Sequence, residues 1–193
     1  VEIITPVDGP LADWSEVEVL PAGTIGEIAV KGPVVTPAYD HNEEETRMAK
    51  IPDQDGLWHR MGDMGYLDEQ GRLWFCGRKA HRVLTAYGPM YTVCCEAIFN
   101  EHPEIFRSAL VGLGEPGVQL PVITVELHEK RPKDEKRLCA ELHELARTNS
   151  LTKTIETFMI FSVFPVDIRH NAKIFREKLA VWAQQRMECR QGL

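Results

Sequence analysis

The sequence predicts an α+β fold in two parts, joined between Arg78 and Ala80. Up to Arg78, apolar residues recur in short alternating runs punctuated by glycine, as in a small sheet. Beyond it, strand-length apolar runs alternate with stretches of helical period. The composition, 44% hydrophobic and 26% charged, is that of a soluble globular protein. A length of 193 residues suffices for one medium domain or for a small domain beside the tail of another.

Each element follows from local chemistry. Residues 24–32, TIGEIAVKG, set Ile25, Ile28 and Val30 between glycines and read as a strand bounded by turns. Residues 42–50 read as a helix with Asn42 as N-cap and Glu43, Glu44 and Glu45 in the first turn, where the helix dipole favours anions. Residues 62–83 predict two or three short strands, with one hairpin turning at Asp68-Glu-Gln-Gly71. Residues 93–101 predict a helix, 108–113 and 122–128 strands, and 132–149 a long helix with Leu138, Leu142 and Leu145 on one face. A strand over 157–163 and a last helix over 175–187 complete the chain, with Leu179, Trp182 and Ala183 facing inward. Trp74, Phe75 and Trp182 are expected in the core.

Charge and cysteine usage exclude several classes. With 29 acidic against 22 basic side chains, the net charge of -7 repels a polyanion, and no basic stripe overcomes it, so nucleic acid is not an expected partner. The five cysteines are odd in number and form no CxxC pair, which points to free thiols in a reducing cytoplasm. No apolar run approaches the roughly 20 residues that cross a bilayer. The N-terminal VEIITPVDG has no secretory pattern, begins mid-strand, and reads as a cut end.

Three places carry candidate chemistry. In Trp58-His-Arg-Met-Gly-Asp63, a carboxylate held at a strand start by close-packed Gly62 offers the two acceptor oxygens that a ribose diol needs, although Gly-Asp also occurs in ordinary turns. In Trp74-Phe-Cys-Gly77-Arg78-Lys79, Arg78 ends a strand, from which a guanidinium reaches ribose and phosphate oxygens or makes a surface salt bridge. Asp63 and Arg78 are spaced to suit neighbouring strands. In PVDIRHNAKIFREKL, Lys173 stands at the mouth of the last helix on a short mobile segment, able to approach a phosphate or to lie in solvent. His59, His81 and His170 lack metal-ligand spacing, so no metal site is expected. Cys94 and Cys95 read as small buried thiols.

Residues 58–83, WHRMGDMGYLDEQGRLWFCGRKAHRV, resemble the paired TGD and GRxD signatures of the adenylate-forming superfamily. PVDIRHNAKIFREKL resembles its closing P-x-T-x-x-G-K-I-x-R motif. Within the superfamily, LWFCGRKAHRV, GPMYTVCCEAIFN and RHNAKIFREKLAVWA are similar to the OleC-type β-lactone synthetases of long-chain olefin biosynthesis. The resemblance extends from about Gly23 to Ala183.

It implies that residues 1–79 are the end of a large AMP-binding domain, a small sheet or barrel subdomain, and that residues 80–193 are a small mobile C-terminal α/β lid. By position, Asp63 falls on the ribose-binding aspartate, Arg78 on the arginine that contacts ribose and phosphate, Lys173 on the adenylation lysine, and Ala80 on the hinge. ATP and Mg²⁺ are the implied cofactors, with the Mg²⁺ ligands in a missing N-terminal domain of the same protein. The implied substrate is a long-chain β-hydroxy acid, and other enzymes of olefin biosynthesis are implied partners. The chain alone is expected to be inactive.

Several residues depart from the pattern. Ala80 replaces a polar hinge residue, Met61 a threonine and Ala172 a glycine. GPMYTVCCE over 88–96 replaces G-x-[RN]-I-x-P-x-E, with its glutamate one place late, which disfavours transfer to a thiol. Two alternatives stay open, a fatty acyl-CoA ligase and a non-catalytic lid-fold interaction module.

Overall fold

Alternation in the first eighty residues produces an antiparallel sheet built around one long strand. The computed structural model describes all residues except 130, 131, 133, 168, 192 and 193, and not the side chains of 170–172, 190 and 191. The chain divides into two units, Val1–Ala80 and His81–Leu193.

In the first unit, β1 (Glu2–Ile4) pairs with β2 (Gly26–Val30), and β2 takes one edge of the long β4 (Gly56–Leu67). The other edge of β4 is divided between β3 (Lys50–Asp53) and β5 (Leu73–Arg78). The short α1 (Glu43–Ala49) starts as its sequence dictates, with Asn42 Oδ1 accepting the Glu45 N–H at 3.1 Å. The β4–β5 hairpin turns over Asp68, whose Oδ1 accepts from the N–H groups of Gln70 and Arg72 at 3.0 and 2.9 Å. Ile4, Ala29 and Ile51 form the apolar centre, flanked by Trp14 stacked on Trp58 at 4.0 Å between ring centroids.

The second unit opens with the hairpin β6 (Val83–Thr85) and β7 (Gly88–Met90), followed by α2 (Thr92–Asn100). Its main sheet has the order β10-β9-β8, from β8 (Ile105–Leu113), β9 (Leu120–Leu127) and β10 (Thr157–Ile160). The last two pair in parallel, connected through α3 (Glu135–Thr148). Strand alternation sorts the core into two layers. Leu110, Ile123 and Val125 pack with Phe99 of α2 and with Leu138 and Leu142 of α3. Ala109, Val111 and Val122 point the other way, against Leu179 and Ala183 of α4 (Arg176–Gln191). A ribbon of β11 (Val166–Asp167) and β12 (His170–Ile174) precedes α4.

Three expectations are corrected. Trp74 and Phe75 are 47% and 50% exposed, because β5 is an edge strand that pairs only with β4. Gly62 is not close-packed: a Cβ there would meet nothing within 4 Å, and the glycine is required by its left-handed φ of +65°. The segment holding Lys173 is a strand of a hairpin. Among the described residues, no helix is long and apolar enough to cross a membrane.

Candidate active site

The Gly62 conformation and the bulge that follows at Met64/Gly65 turn β4 so that Asp63 lies directly opposite Arg78 of β5. Asp63 therefore sits within a strand and not at its start. Arg78 Nη1 lies 3.1 Å from Asp63 Oδ1, at ion-pair distance. The angles do not make a hydrogen bond, and Asp63 Oδ1 is a buried oxygen with no aligned donor. The Arg78 nitrogen instead donates to the Met61 carbonyl at 3.3 Å. The guanidinium is 59% exposed and the carboxylate 20%. An acceptor without a donor, beside a solvent-facing fork of N–H groups, can take a hydroxyl on one side and an anionic oxygen on the other.

The neighbouring Lys79 explains why Arg78 faces outward. Its ammonium turns inward, donating to the Val7 carbonyl and to Glu27 Oε2, the latter at 3.0 Å. Glu27 also accepts from Arg60 Nη2 at 2.8 Å, and Arg60 donates to the Gly9 and Met48 carbonyls at 2.8 and 3.0 Å. Glu27 and Arg60 are buried. Burial pushes the Lys79 amine down, and the Glu27 charge partly restores it. The Glu27–Arg60–Lys79 cluster pins the end of β5 and escaped the sequence reading. Its signal was a glutamate inside the apolar run TIGEIAVKG, two strands from an equally misplaced arginine.

Lys173 is exposed in β12. The partner strand brings Asp167 within reach of its charge. The Arg169 N–H, bonded to Asp167 Oδ1 at 2.9 Å, is the main cause that holds the Asp167 carboxyl low, with Lys173 adding to it. Ala80 lies in a 3₁₀ turn, Lys79–His81, at the last residue of the first unit. Asp63 and Arg78 belong to the first unit and Lys173 to the second. His170 has its side chain outside the described residues.

The altered segment 88–96 runs through β7 into α2 and places its glutamate inside the helix. Glu96 is buried and held by Arg176 through two donors, Nη1 to Oε1 and Nη2 to Oε2, the second at 2.9 Å. Burial pushes its carboxyl up, and Arg176 opposes the shift. Cys95 is buried, its thiol pushed up to about 12 chiefly by burial, while Cys94 is half-buried. Among the described residues, no three His, Cys, Asp or Glu side chains are grouped to hold a metal ion.

The chain is similar to known proteins in sequence and in fold. No protein-family model matches the chain. It is 51% identical over 96% of its length to an olefin beta-lactone synthetase of Xanthomonas campestris pv. campestris, and 49% identical over 98% to that of Stenotrophomonas maltophilia. The chain spans about a third of the length of these relatives, 34% and 35%. The O-succinylbenzoate coenzyme A synthetase of Bacillus subtilis, solved with ATP and magnesium ion, superposes with a TM-score of 0.69 at 26% identity, over 92% of this chain and 33% of that one. ATP-bound MatB of Rhodopseudomonas palustris, at 22% identity and a TM-score of 0.71 over 93% of this chain and 35% of its own, shares the fold. Sequence and fold thus agree on the class that the chain resembles: it has the architecture of the C-terminal part of adenylate-forming enzymes. Within the class, it is the olefin beta-lactone synthetases that share half of its residues.

Proposed function

We propose that the chain is the C-terminal part of an ATP-dependent enzyme that converts long-chain 2-alkyl-3-hydroxy acids to β-lactones. Residues 1–79 end the nucleotide-binding domain on this reading, residues 80–193 form a lid, and Ala80 is the hinge. The observation that carries it is the buried Asp63 oxygen without an aligned donor, beside an outward-facing Arg78. It fits a ribose hydroxyl as donor, with Arg78 free to contact ribose and phosphate. The high identity to olefin beta-lactone synthetases supports this substrate class.

The chemistry assigned to these residues is charge placement. The acid's carboxylate attacks the α-phosphorus of ATP and pyrophosphate leaves, with the Lys173 ammonium offsetting charge on the phosphate. The acid's own β-hydroxyl then attacks the activated carbonyl carbon, gives up its proton, and displaces AMP as the four-membered ring closes. An intramolecular nucleophile has a high effective concentration, and no thiol acceptor is needed. Mg²⁺ would neutralise the phosphates. Its ligands belong to the part of the enzyme preceding this chain, as does the acyl pocket. The free thiols accord with a cytoplasmic enzyme.

The test uses the longer polypeptide that this reading requires, with ATP, Mg²⁺ and a 2-alkyl-3-hydroxy acid in the absence of any thiol, following the product by NMR. β-Lactone protons and one AMP per turnover are expected, and both are lost in Lys173→Ala. Acid left unchanged until coenzyme A is added, then converted to thioester, overturns the reading. So does ATP-dependent pyrophosphate release by the 193-residue chain alone.

A further inference from the structure

The last helix begins with an arginine whose charge is spent inside the fold. Arg176 stands three residues after Lys173, at the first position of α4, and its side chain is 14% exposed. It grips Glu96 of α2 with both terminal nitrogens and donates to the Leu110 carbonyl of β8 at 3.3 Å. Glu96 also accepts the Leu110 N–H at 2.8 Å, and its own carbonyl accepts from Ser108 Oγ at 3.2 Å. Both members of the pair are therefore tied to the same strand, from two directions.

The ribbon that carries Lys173 needs such an anchor. Two strands alone are marginal in water, and β11 with β12 form only a two-stranded sheet. At its base the Phe175 N–H donates to the Pro165 carbonyl at 2.8 Å, and Val166 and Ile174 pack on the α4 side of the core. Apolar contacts of this kind hold a ribbon down without fixing its direction. A bidentate fork does fix direction, because two parallel N–H···O bonds tolerate little rotation.

We propose that Glu96 and Arg176 are a positioning pair that sets the direction of the Lys173 strand. The inference rests on the adenylation role given to Lys173 above. It also assigns a purpose to the late glutamate of GPMYTVCCE: a carboxylate at 96, on the fifth residue after the N-cap Tyr91, meets the arginine. The strand β7 that leads into α2 is thereby tied to the lysine through two side chains.

The decisive variant replaces the pair by apolar residues of similar volume, Glu96→Leu with Arg176→Met, since such replacements commonly keep or raise stability. In the longer enzyme, with ATP, Mg²⁺ and hydroxy acid, melting is expected to hold while kcat for pyrophosphate release falls about a hundredfold, the scale of an ångström of misplacement. KM for ATP is expected to stay within about twofold, because Asp63 and Arg78 are untouched. Wild-type kcat in the folded double variant overturns the proposal. If that variant fails to fold, Arg176→Lys, which keeps the charge but not the fork, decides: lower kcat with faster amide exchange over 170–174 supports positioning, and unchanged kcat overturns it. A Lys173→Ala enzyme that stays active would instead bring down the functional reading itself.

Discussion

Arg78 meets Asp63 with 59% of its side chain in solvent and no aligned hydrogen bond, whereas Arg176 meets Glu96 at 14% and 9% exposure through two. Both are arginine–carboxylate pairs, one across neighbouring strands and one between two helices. A pair exposed on its arginine side is worth about 0–1 kcal/mol and leaves the guanidinium open to an arriving ligand. A buried pair has lost its water and has nothing to exchange with, so it serves geometry. Exposure and alignment together separate a pair that is available from one that is built in.

The largest expected effect lies in the buried pair. Glu96→Ala leaves the Arg176 guanidinium without its carboxylate and is expected to cost about 3–5 kcal/mol in the second unit. Trp182 is the tryptophan of that unit and packs on its core, so its fluorescence in a urea titration reads the change. Asp63→Ala, followed in the first unit by the fluorescence of Trp14 and Trp58, which pack on its core, is expected to cost less than about 1 kcal/mol. Equal losses at the two sites would end the distinction.

The ranking should invert for nucleotide binding. Asp63→Asn removes the charge that a ribose diol needs and is expected to weaken AMP binding to the longer enzyme by about one to two orders of magnitude. Arg176→Lys is expected to leave that affinity within about twofold, measured by calorimetry. An AMP affinity indifferent to Asp63 would mean that its unaligned oxygen is a packing accident.

A smaller effect sharpens the contrast by pH. The first unit buries Lys50 with no hydrogen-bond partner for its ammonium, directly across the strand from His59. Burial and then the Lys50 charge hold the His59 imidazole low, partly offset by the Ala49 backbone. The unfolded chain therefore takes up a proton first as pH falls below the ordinary histidine value of 6.5. Stability of the first unit is complete above that value and declines below it, toward the depressed folded value. His59→Gln is expected to flatten this slope, and an unchanged slope would place its origin elsewhere.

Much of this was legible in the sequence, for reasons of local chemistry. Asn42 caps α1 because its side chain reaches Glu45 N–H, and the Asp68–Gly71 turn closes β4 onto β5, after which the one-residue bulge at Met64/Gly65 completes the register that sets Asp63 opposite Arg78. The rest was set by partners distant in sequence. Glu96 looked misplaced when counted along its motif, and only Arg176, eighty residues on, gives it a role. Lys79 reads as one more surface cation until Glu27 and Val7 are placed beside it. Trp74 and Phe75 were assigned to a core on hydrophobicity, which does not reveal that their strand is outermost.

That outermost strand also bears on how the chain behaves at high concentration. Leu73, Trp74 and Phe75 are consecutive and each about half exposed, on a strand whose outer edge has no partner among the described residues. An open edge with apolar side chains on both faces is a template for another copy of itself, and a net charge of -7 is the opposing force. Salt screens that charge while leaving the apolar edge untouched. Light scattering of the chain is therefore expected to rise with added salt, and Phe75→Lys, which puts a charge on the edge, is expected to abolish the rise.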